Sequence, residues 1–396
     1  MNLLSKALLA VPCAAGALLL AAVVRTLAAP SRVSDYKPST DKERIALYSE
    51  KLARLIRCET LSSEEEPNID CFLGFHKILE ELYPRLHENL EKTVIDGNLL
   101  YRWRGKSDAK PVVLMAHQDV VPAEGEWTHA PCSGDIADGK VWGRGAADIK
   151  CSLMAFMQAV EELLETGYVP DNDVYLVSSC TEEWGGDGAP KIVDELSRRG
   201  VRPYMVCDEG GAIITDPISG VKGSFAMIGV FEKGQGRLRF TAKSTGGHAS
   251  APPKNGPIAR LAAFETEVEK HDPFKRLISK EVRVMFDSLA PYGGFAMKLL
   301  LGNVWLFGPV MKLVMPSVSA QAAAMLRTTI AFTMQSGSDA FNVLPAEATV
   351  GANLRYIPHQ GMDESNELIT RLAAKYGLET EIVVAEDYSP TLNLEA

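Results

Sequence analysis

Residues 111–119 read PVVLMAHQD, an apolar run of strand length that ends at a histidine and an aspartate. Two later runs follow the same plan, because residues 174–183 read VYLVSSCTEE and residues 203–209 read PYMVCDE. Amphipathic helical patterns lie at about residues 151–166 and 189–199. Strands that alternate with helices predict an α/β fold, whose sheet is mostly parallel and has helices on both faces.

Acids and one histidine come directly after these strand patterns. The carboxyl ends of parallel strands meet at one edge of a sheet, and open α/β folds bind their ligands at this edge. A further carboxylate, Asp148, follows the turn sequence GRG at residues 143–145 and precedes a helical pattern. We therefore expect one cleft to hold the side chains of His117, Asp119, Asp148, Glu182, Glu183 and Asp208.

So many acids in one cleft predict either raised pKa values or bound cations, because carboxylates a few ångströms apart repel by about 1 kcal/mol or more per pair. An imidazole with several carboxylates suits Zn²⁺, and Mn²⁺ or Co²⁺ also accept this donor set. A carboxylate that bridges two ions holds them about 3.5–4 Å apart. One of the adjacent residues Glu182 and Glu183 is then free to act as a general base. The pattern by itself also fits solvated surface acids beside a histidine that only forms structural hydrogen bonds.

Composition excludes other classes of protein. The chain has 396 residues, enough for two domains or for one large α/β domain. Its 41 Lys and Arg residues stand against 51 Asp and Glu residues, which gives a net charge of −10, and there is no long basic run. Because phosphate binding needs clustered bases, we expect no nucleic-acid partner.

The first 34 residues differ from the rest and have the pattern of a targeting segment. An uncharged apolar run of 18 residues begins after Lys6 and ends before Arg25. This length is at the lower limit for a membrane-spanning helix and is long for the core of a cleaved signal. We predict a signal-anchor over residues 1–34, with a cleaved signal peptide as the alternative. Either one leaves the remainder outside the cytoplasm, as a membrane-anchored or a secreted protein.

The sequence changes character after about Ser224. Two strand patterns with a glycine turn between them are followed by a helix and by a long, Met-rich apolar stretch over residues 286–325. These features predict a second unit of the α+β class. We expect the apolar stretch to form the core of that unit, with an acyl pocket or a membrane contact as alternatives.

The order of these motifs resembles the zinc-dependent aminoacylase/carboxypeptidase family, to which glutamate carboxypeptidase belongs. The similar stretches in the first half are HQDVVP at 117–122, GRGAAD at 143–148, TEEWGG at 181–186 and DEGG at 208–211. Three later stretches look closest to the subgroup of vacuolar carboxypeptidase S and the N-fatty-acyl-amino-acid synthase/hydrolase: STGGHASAPP at 244–253, NVWLF at 303–307 and FNVLP at 341–345. The resemblance covers about residues 42–396.

This resemblance implies a role for each residue of the cleft. The implied ligands of two Zn²⁺ ions are His117, Asp148, Glu183 and Asp208, with Co²⁺ or Mn²⁺ as possible replacements. Asp148 would bridge both ions, while His117 and Asp208 would hold the first and Glu183 the second. Glu182 would be the general base that takes a proton from the attacking water, and Asp119 would orient the first site.

The resemblance also implies a catalytic domain over residues 35–223 and an inserted lid or dimerisation domain over residues 224–387. In the lid, His248 would help to polarise the scissile carbonyl, often across a homodimer. Asn342 and Arg355 would hold the free carboxylate of the substrate, a task that suits the planar guanidinium of arginine.

The C-terminal end departs from the family pattern. Relatives return to the catalytic domain after a segment like DYSP at 387–390 and supply a second metal-binding histidine there. Here the predicted return covers only residues 388–396, and no histidine follows His359. This departure predicts either a fragment of a longer chain or a degenerate, weakly active form.

The residues and the resemblance together predict a dinuclear-zinc metallohydrolase. It would cleave the amide bond of small peptides or N-acyl amino acids that carry a free carboxylate. The alternative is a catalytically incomplete, membrane-tethered binding or dimerising protein, because the second metal-ligand histidine is absent from the sequence.

Overall fold

The computed structural model describes residues 3–65, 68–230 and 232–387, and at residues 3–13 it describes the backbone only. The predicted return at residues 388–396 lies outside the described residues. The chain folds into two compact units, which we name for their places in the sequence. The central unit is Lys37–Gly210, and the flanking unit joins the residues up to Tyr36 to those from Gly211 onward.

Helices and strands are numbered in chain order. The helices are α1 (Leu3–Ala28), α2 (Lys42–Ile56), α3 (Ile69–Leu82), α4 (Pro84–Asn89), α5 (Lys150–Glu165), α6 (Gly188–Arg198), α7 (Pro257–Lys270), α8 (Lys280–Leu289), α9 (Phe295–Leu301), α10 (Val304–Val318), α11 (Ala320–Ala324) and α12 (Gly361–Ala374). The strands are β1 (Glu91–Ile95), β2 (Asn98–Trp103), β3 (Ser107–Met115), β4 (Asp135–Ala137), β5 (Lys140–Trp142), β6 (Asn172–Ser178), β7 (Met205–Cys207), β8 (Ala212–Thr215), β9 (Ser224–Met227), β10 (Gly234–Lys243), β11 (Gly247–His248), β12 (Thr329–Ser336), β13 (Val343–Leu344), β14 (Glu347–Tyr356) and β15 (Glu379–Glu386).

The central unit is built on a five-stranded sheet in the order β1-β2-β6-β3-β7. Strand β3 runs parallel to β6 and to β7, so the three strands that carry the predicted site share one direction. Strands β1 and β2 pair antiparallel with each other, and β2 pairs antiparallel with β6. The predicted α/β class is confirmed, and the sheet is mixed because β2 runs against the other four strands, which share one direction.

The antiparallel edge follows from a two-residue turn. Asp96 and Gly97 join β1 to β2, and both have positive φ angles, 48° and 84°. An Asp-Gly pair in this conformation matches the right-handed twist of the strands that it connects, so it forms a tight hairpin. A turn of two residues can join only antiparallel neighbours, because a parallel connection needs a long crossover.

Both faces of the central sheet are covered by helices. Successive side chains of β2 point to opposite faces of the sheet, so that Leu99 and Tyr101 lie on one face and Leu100 lies on the other. The first face packs against α3 and α5, and the second against α6, through apolar side chains that include Leu153 and Ile192. The helices on both faces agree with the predicted layering.

The flanking unit contains a four-stranded antiparallel sheet in the order β12-β14-β10-β15. One face of this sheet packs on α7 and α12, with Phe240, Phe264, Leu354 and Ile369 among the buried side chains. The other part of the unit is helical. Its core gathers Phe286, Leu301 and Met311 from α8, α9 and α10, so the Met-rich stretch supplies core residues, as expected.

Within the described part of the chain, no single helix is both long and apolar enough to cross a membrane. Helices α9 and α10 reach that length and apolar character only as a pair, and the pair is bent by 95°.

A buried histidine holds the strand end that carries the site. His76 is only 3% exposed, and its Nε2 lies 3.1 Å from Oε1 of Gln118, whose own amide donates to the carbonyl oxygens of Gly97 and Ser178. Because the amide nitrogen of Gln118 is the donor to both carbonyl oxygens, its Oε1 is the acceptor and Nε2 of His76 is the donor. Nδ1 of His76 has no hydrogen-bond partner. Burial, with the nearby charge of Lys92, lowers the pKa of His76 to about 4.

We expect His76 to make the stability of the protein depend on pH. In the unfolded chain a histidine binds its proton near pH 6.5, whereas folded His76 binds it only near pH 4. Stability from this residue is therefore complete above about pH 6.5 and is lost as the pH falls towards 4, by up to about 3 kcal/mol. Denaturant unfolding of the parent and of His76→Gln between pH 7.5 and 4.5 measures the effect. A difference between the two proteins that does not change with pH would contradict it.

Candidate metal centre

His117 stands at the carboxyl end of β3 with its ring held in one orientation. The side chain is 2% exposed. Its Nδ1 lies 3.0 Å from the main-chain oxygen of Asp119, which accepts the hydrogen bond, and 3.4 Å from Oδ1 of the same residue. Nδ1 is thereby occupied, so Nε2 is the nitrogen that faces the acidic side chains.

Three carboxylates from different parts of the chain surround Nε2 of His117. The distances are 3.0 Å to Oδ1 of Asp148, 3.3 Å to Oε2 of Glu209 and 3.8 Å to Oε2 of Glu182. Asp148 lies just before α5, while Glu182 and Glu209 follow β6 and β7. The predicted convergence of strand ends is thus present in the structure.

The turn before Asp148 requires glycine. Gly145 has a φ of 83°, and a Cβ atom there would lie 2.9 Å from a methyl group of Val120 and 3.1 Å from the side chain of Lys150. Only glycine allows the chain to pass this close and to enter α5 with Asp148 at its start. This explains the second glycine of the GRG sequence.

The donor set fits a divalent cation. His117, Asp148 and Glu209 each offer one ligand atom, and these three atoms lie within 4.8 Å of one another. One imidazole with carboxylates is a donor set that Zn²⁺ accepts. The side chain of Asp148 is 73% exposed, so the cluster is open to solvent and an ion has a path into it.

Asp119 connects two of the chain segments that carry the cluster. It is fully buried, and its Oδ2 accepts a hydrogen bond of 3.0 Å from the main-chain N–H of Glu183. Its Oδ1 has no hydrogen-bond partner and faces the ring of His117. Asp119 therefore ties the end of β3 to the segment after β6 and orients the histidine, as a group behind a metal ligand does.

The acids of the cluster raise one another's pKa values. Burial and the charges of Asp119, Asp148 and Asp208 raise the pKa of Glu182. Burial and the charges of Glu182, Asp148 and Asp208 raise the pKa of Glu209 to about 7. His117 counteracts both shifts but does not cancel them.

The pKa of His117 is also shifted by the negative charge of these acids. Burial alone would lower the pKa of His117, but the interactions with Asp119, Asp148 and Glu182 raise it to about 10. A potential that holds a proton this firmly on an imidazole also attracts a divalent cation. Cation binding and protonation of His117 are therefore competing ways to neutralise the cluster.

Asp208 and Glu183 take part in the cluster through charge. Burial raises the pKa of Asp208, and its charge acts on both His117 and Glu182. Burial also raises the pKa of Glu183, with the charge of Asp148 contributing. Neither residue belongs to the closest group of ligand atoms.

Glu209 is the site residue that the sequence reasoning missed. Asp208 and Glu209 are adjacent after β7, and the motifs predicted only Asp208 as a ligand. Successive side chains in extended backbone point to opposite sides, so one member of such a pair generally faces a cleft more directly. The glutamate carboxylate lies 3.3 Å from Nε2 of His117.

The predicted lid residues all belong to the flanking unit. His248 in β11 pairs with Val343 in β13, and the carbonyl oxygen of Asn342 accepts from the N–H of Ala249, so the structure brings His248 and Asn342 together. Arg355 is exposed on β14 and donates to Oε1 of Gln235 at 3.2 Å. The roles predicted for these three residues stay predictions.

Comparison with known proteins identifies the family. The model of peptidase family M20/M25/M40 matches residues 113–389, which is more than half of the chain. The chain belongs to this family. Membership in peptidase family M20 confirms the family predicted from the motifs and, at the level of the family, the predicted class of enzyme.

Individual relatives agree with this assignment. The M20 chain is 32% identical over 351 residues to a probable carboxypeptidase S-like 2 of Dictyostelium discoideum, covering 86% of this chain and 66% of that protein. It is 34% identical to the N-fatty-acyl-amino acid synthase/hydrolase of Homo sapiens, covering 88% of this chain and 70% of that protein. The chain therefore spans about two thirds of the length of these relatives.

Solved structures share the fold. A metallo-carboxypeptidase of the M20 family from Sulfolobus solfataricus matches with a TM-score of 0.58 and 19% identity, over 86% of this chain and 77% of that chain. Human carnosine dipeptidase 1 matches with a TM-score of 0.53 and 15% identity, over 96% of this chain and 82% of that chain. These likenesses confirm the α/β fold of the family.

We expect Glu209→Gln to weaken cation binding. The change removes one negative charge beside His117 and keeps the size of the side chain, so the affinity for Zn²⁺ should fall at least about tenfold. Isothermal titration of the metal-free protein with Zn²⁺ measures this affinity.

Glu165→Gln is the matched control, because Glu165 is an exposed glutamate at the other end of α5 that pairs with Arg85. It should bind Zn²⁺ like the parent. Equal affinities of Glu209→Gln and Glu165→Gln would contradict the assignment of Glu209 to the metal centre.

Proposed function

We propose that the chain is a metal-dependent amide hydrolase that acts on small peptides or N-acyl amino acids with a free carboxylate. The observation that supports this most directly is the position of Asp148, Glu182 and Glu209 around Nε2 of His117. Family M20 contains relatives named as carboxypeptidases and as an N-fatty-acyl-amino acid synthase/hydrolase. The active form would be a homodimer outside the cytoplasm, by the same likeness.

Two Zn²⁺ ions, or Co²⁺ or Mn²⁺ in their place, would be held by the cluster. His117 would hold the first ion with Asp208 or Glu209, Glu183 would hold the second, and Asp148 would bridge both. Ions bound there would supply Lewis acidity and make a water molecule acidic enough to lose its proton near neutral pH. Asp119 keeps the tautomer of His117 fixed, so that Nε2 is free to act as a ligand.

Glu182 is the proposed general base. Its carboxylate lies 3.8 Å from Nε2 of His117, too far for a hydrogen bond, and it is only half buried. Burial and neighbouring acids raise the pKa of Glu182, which makes the carboxylate a better proton acceptor than an ordinary glutamate. It would take a proton from the attacking water and pass it to the nitrogen of the leaving amine.

The substrate's carboxylate would be bound by Arg355 and Asn342, with His248 polarising the scissile carbonyl. All three are in the flanking unit, and the exposed guanidinium of Arg355 is able to form a paired hydrogen bond with a carboxylate. His248 is also exposed, with Nδ1 2.9 Å from Oγ of Ser250. That contact leaves Nε2 for a carbonyl oxygen.

An apolar cavity supports an acyl substrate over a polar peptide. The flanking unit contains a cavity of about 500 Å³, a volume in the range that binds small organic molecules. Its walls come from the segment around β9, from α8 and from α11, and include Phe225, Met227, Met285, Leu289 and Met325. We propose that this cavity takes the acyl chain.

The alternative function is a binding protein that does not turn its ligand over. Turnover by the purified chain separates the two functions. A hydrolase cleaves an N-acyl amino acid when loaded with Zn²⁺, whereas a binding protein retains it intact.

We expect Glu182→Gln to abolish most of the turnover and to leave the metals bound. Loss of a general base lowers kcat about 10²- to 10⁴-fold. The rate of hydrolysis of an N-dodecanoyl amino acid and the zinc content of the same samples measure both effects. Glu165→Gln is the control that keeps parent turnover. If Glu182→Gln hydrolyses the substrate as fast as the parent, the assigned base is wrong.

A second change tests the acyl cavity. Met285→Trp places a larger side chain in the wall of the cavity, so kcat/KM for an N-dodecanoyl substrate should fall at least about tenfold, while the value for an N-acetyl substrate stays within about twofold. Leu277→Trp, at an exposed position outside the cavity lining, is the control. An equal loss for long and short acyl groups would contradict an acyl role of the cavity.

A further inference from the structure

The C-terminal end of α1 is fastened to the helical part of the flanking unit. Thr26 and Asn303 are both buried, and Nδ2 of Asn303 donates to Oγ1 of Thr26 at 3.0 Å. Nζ of Lys298 donates to the carbonyl oxygen of Ala29 and to Oγ of Ser31. Polar groups that are buried and paired in this way fix the position of a helix, so α1 is a structural part of the unit.

The part of α1 over residues 14–21 is exposed to solvent. Residues 14–21 are exposed around the whole helix and consist only of Ala, Gly and Leu. Val24 and Leu27 are exposed further along. A helix that is apolar on every side is stable in a protein core or in lipid, and water is a poor environment for it.

Helix α10 adds a second apolar face to the same unit. Trp305, Val310, Leu313, Val314 and Val318 are exposed on it. Val310, Leu313, Val314 and Val318 lie along one uncharged side of the helix, and Trp305 lies at its border, on the same side as Lys312 seven residues on. Contiguous exposed apolar surface of this kind marks a site of contact with a protein or a membrane.

The charges near α1 and α10 indicate which kind of partner suits these apolar surfaces. Residues 14–32 contain Arg25 and Arg32, and residues 295–318 contain Lys312 and the buried Lys298, whereas neither segment contains an acid. This is unusual in a chain that has 51 acids and a net charge of −10. Bases at the border of an apolar surface suit the anionic headgroups of a bilayer.

We propose that α1 and the exposed face of α10 together form a docking surface for a lipid bilayer. The apolar side chains enter the boundary between headgroups and acyl chains, and Trp305 lies at the level of the headgroups, where tryptophan is favoured. Arg25 and Lys312 remain in water beside the anionic lipid. The docking surface thus combines two helices of the flanking unit, and it is independent of the catalytic proposal.

Vesicle binding by the full chain tests this surface. The probes are phosphatidylcholine vesicles with and without 30% phosphatidylserine, and flotation gives the partition coefficient of each protein. Because α1 is intact, the α10 double variant Leu313→Ser/Val314→Ser should still bind but with a partition coefficient at least about tenfold lower. The parent should bind the anionic vesicles more tightly than the neutral ones.

Val193→Ser/Leu163→Ser is the matched control, since it replaces one valine and one leucine that are exposed on α6 and α5 of the central unit. It should bind like the parent.

Brominated lipid should quench the fluorescence of Trp305, so the quenched signal should be absent from Trp305→Phe. This readout does not depend on the folding of the serine variants. Equal binding by both double variants, or quenching that persists in Trp305→Phe, would overturn the proposal. So would an α10 variant that changes a dimer into a monomer while binding vesicles as before, because the face would then be a subunit interface.

Discussion

The mutual repulsion of acidic side chains around His117 is the constraint on which the rest of the central unit depends. Asp119, Asp148, Glu182, Glu183, Asp208 and Glu209 all contribute to it. Burial, together with the neighbouring acids, raises the pKa values of Glu182 and Glu209, and the attraction of Asp119, Asp148 and Glu182 raises the pKa of His117. Evolution retains such an arrangement where a cation offsets the repulsion and where the raised basicity has a chemical use.

The direction of three strands and a few hydrogen bonds hold this cluster in place. The parallel strands β3, β6 and β7 end at one edge of the sheet and deliver His117, Glu182 and Glu209 to a common point. Asp119 joins the end of β3 to the segment after β6, and the side-chain amide of Gln118 donates to the carbonyl oxygens of Gly97 and Ser178. The side chains that we propose as cation ligands are thus positioned by neighbours that are not themselves proposed ligands.

The sequence predicted most of this site and less of the sheet. Apolar runs that end in acids indicated the convergence of His117, Asp148 and Glu182, because strand polarity fixes where such residues meet. The antiparallel edge was missed, although the pair Asp96-Gly97 carries the signal of a tight hairpin. Glu209 was missed because two adjacent acids follow β7, and only the backbone conformation decides which carboxylate lies nearest to His117. The attachment of α1 through Thr26 and Asn303 joins residues 277 positions apart, a distance at which local patterns carry no information.

Crystallography of the zinc-loaded protein at the zinc absorption edge is the most direct test of the central claim. We predict an anomalous peak within coordination distance of Nε2 of His117 and of the Asp148 carboxylate. An anomalous map without a peak in this cluster, from crystals of fully folded protein grown with Zn²⁺, would contradict it.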